Sequence, residues 1–211
     1  MPQSIFEFLY FAIALVIAIS VHEFAHALAA YKLGDPTAKY HGRLTLNPLA
    51  HLDPLGTLML FIVHFGWGKP VPVNPYHFKN PVRDSALVSL SGPMSNFLVA
   101  LIFALPIKYL GYAIPTELLI ILWAIVDLNI LLGIFNLLPF PPLDGSKIFA
   151  VFVPASKQNA YFNFLNKAQP YFFVFIMLDI FVFPKFLGFS ILWLVLGNLF
   201  DLVKTVIFLG S

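Results

Sequence analysis

The sequence predicts an all-α polytopic membrane protein, with about five transmembrane helices, a re-entrant segment and a short membrane-associated β or extended segment. Three observations carry that expectation. Of the 211 residues, 60% are hydrophobic and only 10% charged, against roughly a quarter charged in soluble domains. Apolar runs at 5–21, 98–110, 118–138, 171–183 and 186–200 approach or exceed the length a bilayer-spanning helix needs. Alternating prolines between 70 and 75 forbid helix there and leave only extended backbone, as an edge strand or polyproline segment.

The elements follow in order. A first helix over Ile5–Leu33 is ended by Gly34 and Asp35-Pro36, the usual stop punctuation. It is not a cleaved signal peptide, because no basic region precedes it and it continues into a chemical motif without a cleavage-like segment. After Asp53-Pro54, the 11 apolar residues 55–65 are too short to cross a bilayer at about 1.5 Å per residue, and read as re-entrant. A second helix spans about Ser85–Leu110, with Gly92-Pro93 marking a break near its start, and a third spans about Glu117–Leu138. A shorter run at 171–183 and a last helix from Phe186 to about Leu209 flank Pro184 and make a C-terminal helical hairpin, about 170–209. No repeat or low-complexity linker divides the chain, so residues 1–211 read as one domain with its catalytic core at about 5–146.

Charge placement tests this topology. If 55–65 dips in and returns, Lys32, Lys39, Arg43, Lys69, Lys79, Arg83, Lys147, Lys157, Lys167 and Lys204 share one face and Lys108 and Lys185 the other, ten against two. If it crosses, the split is five against seven. The positive-inside rule favours the re-entrant reading, with the N-terminus outside and the lysine-rich loops in the cytosol.

Composition also narrows the chemistry. Cysteine is absent, so a metal could be bound only through His, Asp or Glu. A net charge of +2 is too small to point to nucleic acid. Near the cytosolic end of the first helix lies His22-Glu23-Phe24-Ala25-His26, the H-E-x-x-H pattern. Side chains at i and i+4 sit one above the other, so both imidazoles can bind one zinc while Glu23 flanks its water. Ionisable groups in an apolar helix are functional candidates by default.

A catalytic zinc usually takes three protein ligands. Among Asp53, Glu117, Asp127, Asp144, Asp179 and Asp201, Glu117 falls at the outer face and Asp201 deep in the last helix. Asp144 follows a proline-rich break at the depth of His22 and His26, and Gly145 lets the backbone turn closely there.

The stretch Asn136-Leu137-Leu138-Pro139-Phe140-Pro141-Pro142-Leu143-Asp144-Gly145 resembles the N-x-x-P-x-P-x-L-D-G signature of the site-2 protease family of intramembrane metalloproteases. The likeness extends through His22–His26, through Ser91-Gly92-Pro93-Met94-Ser95-Asn96 and through the segment from Gly66 to Pro75, covering most of residues 15–146. It implies one Zn2+ per chain with Asp144 as third ligand beside His22 and His26, and Glu23 as general base. It further implies that Asn136 and Asn96 stabilise an oxyanion or position substrate. The implied partner is a membrane protein whose transmembrane helix is cut near the cytosolic side. The chain looks like a small form, without a PDZ-like insertion or nucleotide-binding module, in a prokaryotic plasma membrane.

Other polar residues have plainer readings. Asn129 and Asn136, at i and i+7, share a helix face that could point at the metal, although interhelical hydrogen bonding is the ordinary role of such residues. Asp127 lies off that face and suits packing or support better than ligation. His41, His51, His64 and His77 lack i, i+4 partners and read as loop or interface residues. The 24 phenylalanines read as lipid-facing or packing groups. The proline segment could receive an unwound substrate by strand addition, the bland alternative being a rigid loop that plugs the site. Two other classes of function stay open: a catalytically silent adaptor for transmembrane helices, which would have no need of Glu23, and a metal-ion transporter, which would need a polar path across the whole bilayer.

Overall fold

The computed structural model describes residues 5–63 and 66–209, with backbone alone at 60–63. His64 and Phe65 therefore lie outside the described residues. Among the described residues, three helices are long and apolar enough to cross a membrane: α1 (Ile5–Lys32), α4 (Pro81–Leu110, its apolar span running on to Ala113) and α5 (Thr116–Leu137). The chain is a membrane protein. Between them lie the short helices α2 (Thr37–Tyr40) and α3 (Pro54–Val63), and α6 (Asp144–Phe149), α7 (Gln158–Phe181), α8 (Phe183–Phe186) and α9 (Ile191–Ile207) follow.

Small residues let the three long helices approach closely. Ala14 of α1 packs with Val99 of α4 and Ile125 of α5, and Ala100 and Ala104 of α4 meet Val126 and Ile130 of α5. This is how helices associate in lipid, where apolar burial gives no net drive and close van der Waals contact must. α4 begins four residues before the expected Ser85 because Pro81 takes the first helical position and Asn80 caps it, accepting the Arg83 N–H while Asp84 accepts the Asn80 N–H. The expected break at Gly92-Pro93 does not interrupt it.

α3 is 10 residues long, about 15 Å at the helical rise. Its flanks return to one another, since Leu52 pairs with Gly68 in an isolated antiparallel bridge and the Lys69 N–H donates to the His51 carbonyl at 2.8 Å. That is the geometry of a segment that leaves and comes back. Beyond it, residues 69–74 run without regular secondary structure. No named strand forms there among the described residues, because Pro70 and Pro72 lack the N–H groups a ladder uses.

The C-terminal hairpin requires correction. α7 starts at Gln158 and carries Pro170 inside it, and it does not take the chain to the far end. Its Phe172 and Ile176 cluster with Leu143, and Phe135, Leu138 and Leu192 pack on that cluster, all near Asp144. Asp179 near its end accepts the Ile191 and Leu192 N–H groups and so caps α9 at this same end. α9 then runs antiparallel to α5: Lys204 pairs with Asp127 at 2.7 Å and Phe208 stacks on Trp123 at 5.0 Å. Lys185 consequently joins the lysine-rich face and Lys204 sits inside a helix pair. The bias becomes ten against one, with Lys108 alone opposite.

Candidate metal centre

The HExxH turn lies in the last third of α1, and both its histidines are buried. Asp144 reaches the same point from the start of α6, where the chain turns after the proline-rich break. Gly145 makes that turn feasible, since a Cβ on it would stand 2.2 Å from the Leu137 carbonyl oxygen. The Nε2 atoms of His22 and His26 are 2.9 Å apart, and each is 3.1 Å from Asp144 Oδ2. Among the described residues, this is the group of His, Asp and Glu donors that could hold a metal ion.

The opposite ring nitrogens decide what these three atoms are. His26 Nδ1 lies 2.7 Å from the Val88 carbonyl, which can only accept, so the ring proton is at Nδ1. His22 Nδ1 lies 2.6 Å from Asn96 Oδ1, and the Asn96 amide nitrogen donates to the Ala18 carbonyl and to Asn129 Oδ1, which fixes its oxygen toward His22. In their neutral form both imidazoles then turn an Nε2 lone pair toward Asp144 Oδ2, the arrangement a metal ligand needs. A tetrahedral zinc with bonds of about 2.0–2.1 Å would set its ligands about 3.3 Å apart, close to the observed separations. The donor set fits a divalent metal, and the hydrogen bonds at Nδ1 are the supports that orient such ligands.

α4 touches the centre at Gly92, where a Cβ would fall 2.5 Å from the His26 ring and 2.7 Å from that of His22. Glu23 is not among these donors, and its Oε2 accepts the Val71 N–H at 2.9 Å. The segment carrying Val71 is held at its far end by buried Asp35, which accepts from Asn74 N, from Thr37 N and Oγ1, and from His77 Nδ1. Burial pushes the Asp35 carboxyl up, but these hydrogen bonds outweigh it and hold the group below the usual carboxylate range. A cavity of about 570 Å³ opens beside the centre, between Pro70 and Val73 of this segment, Val88 and Ser89 of α4, Ser146 of α6 and Gln169 of α7.

The comparisons with known proteins give the family. The model for peptidase family M50 matches residues 106–179, which include Asp144. The candidate zinc metalloprotease YwhC of Bacillus subtilis is 41% identical over 193 residues, 87% of this chain and 84% of that protein. The chain belongs to peptidase family M50, the site-2 protease family. This M50 chain is thereby a metallopeptidase. A more distant relative, the candidate zinc metalloprotease Rip2 of Mycobacterium tuberculosis, is 34% identical over 139 residues, 62% of this chain and 52% of that protein. No solved structure matches the chain.

The other expected site residues of this M50 chain divide. Asn96 is fully buried and spends its oxygen and both amide hydrogens on His22, Asn129 and Ala18. Both of its amide hydrogens are therefore taken, and its oxygen lies on His22 Nδ1. Asn129 takes the interhelical role, linking α5 to Asn96 of α4. Asn136 donates to the Leu132 carbonyl of its own helix and makes no described contact with the three donors. Asp127 pairs with Lys204, Asp53 accepts the Gly56 N–H at the start of α3, and Asp179 caps α9. Two buried groups that spacing did not reveal are Arg43 and His51, which touch each other and the proline segment.

Proposed function

We propose that the chain is a zinc-dependent intramembrane protease that hydrolyses a peptide bond within or near the transmembrane segment of another membrane protein. The supporting observation is the convergence of two imidazole nitrogens and one carboxylate oxygen, with the glutamate next to His22 held by a backbone N–H. His22, His26 and Asp144 hold one zinc per chain. When bound, zinc supplies Lewis acidity, which makes a water acidic enough to lose its proton near neutral pH and polarises the scissile carbonyl. Glu23 accepts the water's proton as general base and passes it to the departing amine. Asn96 and Val88 keep both imidazoles in the tautomer that offers Nε2. Asn136, whose amide keeps one hydrogen beyond its bond to Leu132, positions substrate.

We read residues 1–211 as one membrane-embedded domain in which α1, α4, α5 and α9 cross the bilayer and α3 re-enters it. α7 lies along the face that carries the site. The lysine-rich face is cytosolic in a prokaryotic plasma membrane, which places the site toward the cytosol. A substrate helix must unwind before attack, and its extended chain runs through the cavity between the proline segment and α7. There Val73, whose N–H has no described partner, offers backbone for strand addition, whereas the Val71 N–H is already committed to Glu23.

Metal removal tests the reading. Purified protein in detergent is expected to carry close to one zinc, to cut a model transmembrane segment, to lose at least about 100-fold of that rate on chelation, and to regain it with added zinc. Cleavage indifferent to chelation would sink the proposal. Metal flux in liposomes without cleavage would favour transport, and tight segment binding without cleavage an adaptor. Val73→Pro is expected to slow cleavage by about tenfold or more with zinc retained, the cost of one lost pairing hydrogen bond in a dry site being on the order of 1–3 kcal/mol. Wild-type turnover in that variant would rule out strand addition at this edge.

A further inference from the structure

Arg43 belongs to none of the motifs used above, yet the residue is only 5% exposed. A buried cation is costly unless fixed partners replace its hydration. Its partners converge on one short stretch. Nη1 donates to the Pro70 carbonyl at 3.2 Å, and Nη2 donates to the Lys69 carbonyl and to His51 Nδ1. His51 is itself oriented through Nε2, which donates to the Thr45 carbonyl at 2.7 Å, and its own carbonyl takes the Lys69 N–H. One residue beyond the clamped carbonyls, the Val71 N–H meets Glu23 Oε2. The Glu23 charge in turn supports the guanidinium against the effect of burial.

The chemistry of each part suits a rigid relay. Two successive carbonyls need a planar fork with donors at fixed spacing, which arginine has and lysine lacks. Prolines on both sides of Val71 have fixed φ, so holding the carbonyls of 69 and 70 leaves the direction of the Val71 N–H little freedom. A glutamate with one oxygen tied to that N–H is restricted in the orientations its carboxylate can take.

We infer that Arg43 is a positioning residue for the hydrolysis, clamping Lys69 and Pro70 so that the Val71 N–H holds one oxygen of Glu23 and leaves the other aimed at the water. This rests on the reading of Glu23 as general base. A misplacement of about 1 Å in a catalytic group can cost on the order of 100-fold in rate, so the clamp acts on kcat.

Hydrogen exchange at the Val71 amide, read together with zinc content, kcat and KM on a model transmembrane substrate, tests the inference in the zinc-loaded full chain. Pro70 and Pro72 carry no amide hydrogen, so Val71 exchanges alone between Lys69 and Val73. In Arg43→Gln the Val71 amide is expected to exchange at least about tenfold faster. The same variant should lose about 30–100-fold in kcat with KM and zinc content unchanged, and Arg43→Lys should recover part of both losses. Should Arg43→Gln fail to fold, Arg43→Lys and Glu23→Ala carry the test, the latter exposing Val71 while Lys69, held by His51, stays protected. Unchanged Val71 exchange in the Arg43 variants, or a rise in KM with kcat intact, would overturn the inference. A zinc-loaded wild type that cleaves nothing, while Val71 protection still depends on Arg43, would overturn the proteolytic reading and not the link from Arg43 to Glu23.

Discussion

Glu23→Gln is expected to keep zinc at the wild-type stoichiometry and to lose about 10²–10⁴-fold in cleavage rate, the range a positioned general base contributes. The structure separates these two properties. Glu23 is not one of the three converging donors, and its described hydrogen bond is to the Val71 N–H. A glutamine has nearly the same shape, and its carbonyl oxygen can still accept from Val71. The variant therefore keeps the segment in place and removes only the ability to take a proton. Zinc by elemental analysis and cleavage of a model transmembrane segment are the two readouts. A variant that cuts within about tenfold of wild type would take the proton-acceptor role away from Glu23.

Gly92→Ala is the second large effect, and it should act on metal affinity without touching a ligand. The added Cβ would stand 2.5 Å from both Cε1 and Nε2 of His26 and 2.7 Å from Cε1 of His22. Neither ring can retreat freely, because His26 is tied to Val88 and His22 to Asn96 through Nδ1. Either α4 moves off α1, at a cost of about 1–3 kcal/mol for an overpacked contact, or the imidazoles leave their orientation. Disturbing such support typically costs about 10–100-fold in metal affinity. Competition with a zinc chelator would measure it, with Gly197→Ala as the control, since its nearest side-chain atom would be 3.6 Å away. Wild-type zinc affinity in Gly92→Ala would show that α4 does not press on the site.

The course of the C-terminal helices departs from the sequence expectation for a physical reason. Residues 171–183 are as apolar as a short span, but periodicity and length do not say whether such a run faces lipid or packs on a neighbour. Here Phe172 and Ile176 pack against Leu143 beside the site, and α9 reverses direction relative to expectation. The lysine count could not expose this, because exchanging Lys185 and Lys204 alters the bias by one. Asn96 was placed near the site through a motif, but which of its atoms are free depends on Ala18 and Asn129, from distant parts of the chain.

The amino-acid order by itself determined the membrane character of the chain, the three long apolar helices and the pairing of His22 with His26. Those properties depend on composition, run length and helical spacing, all of which are local. Only the tertiary structure decided how the Asp144 carboxylate meets the imidazoles, which groups hold their Nδ1 atoms, which way α9 runs and what grips Glu23. Each of these is a meeting of groups more than 20 residues apart in sequence, and a side chain's role there is set by the partner it finds rather than by its own neighbours in the chain.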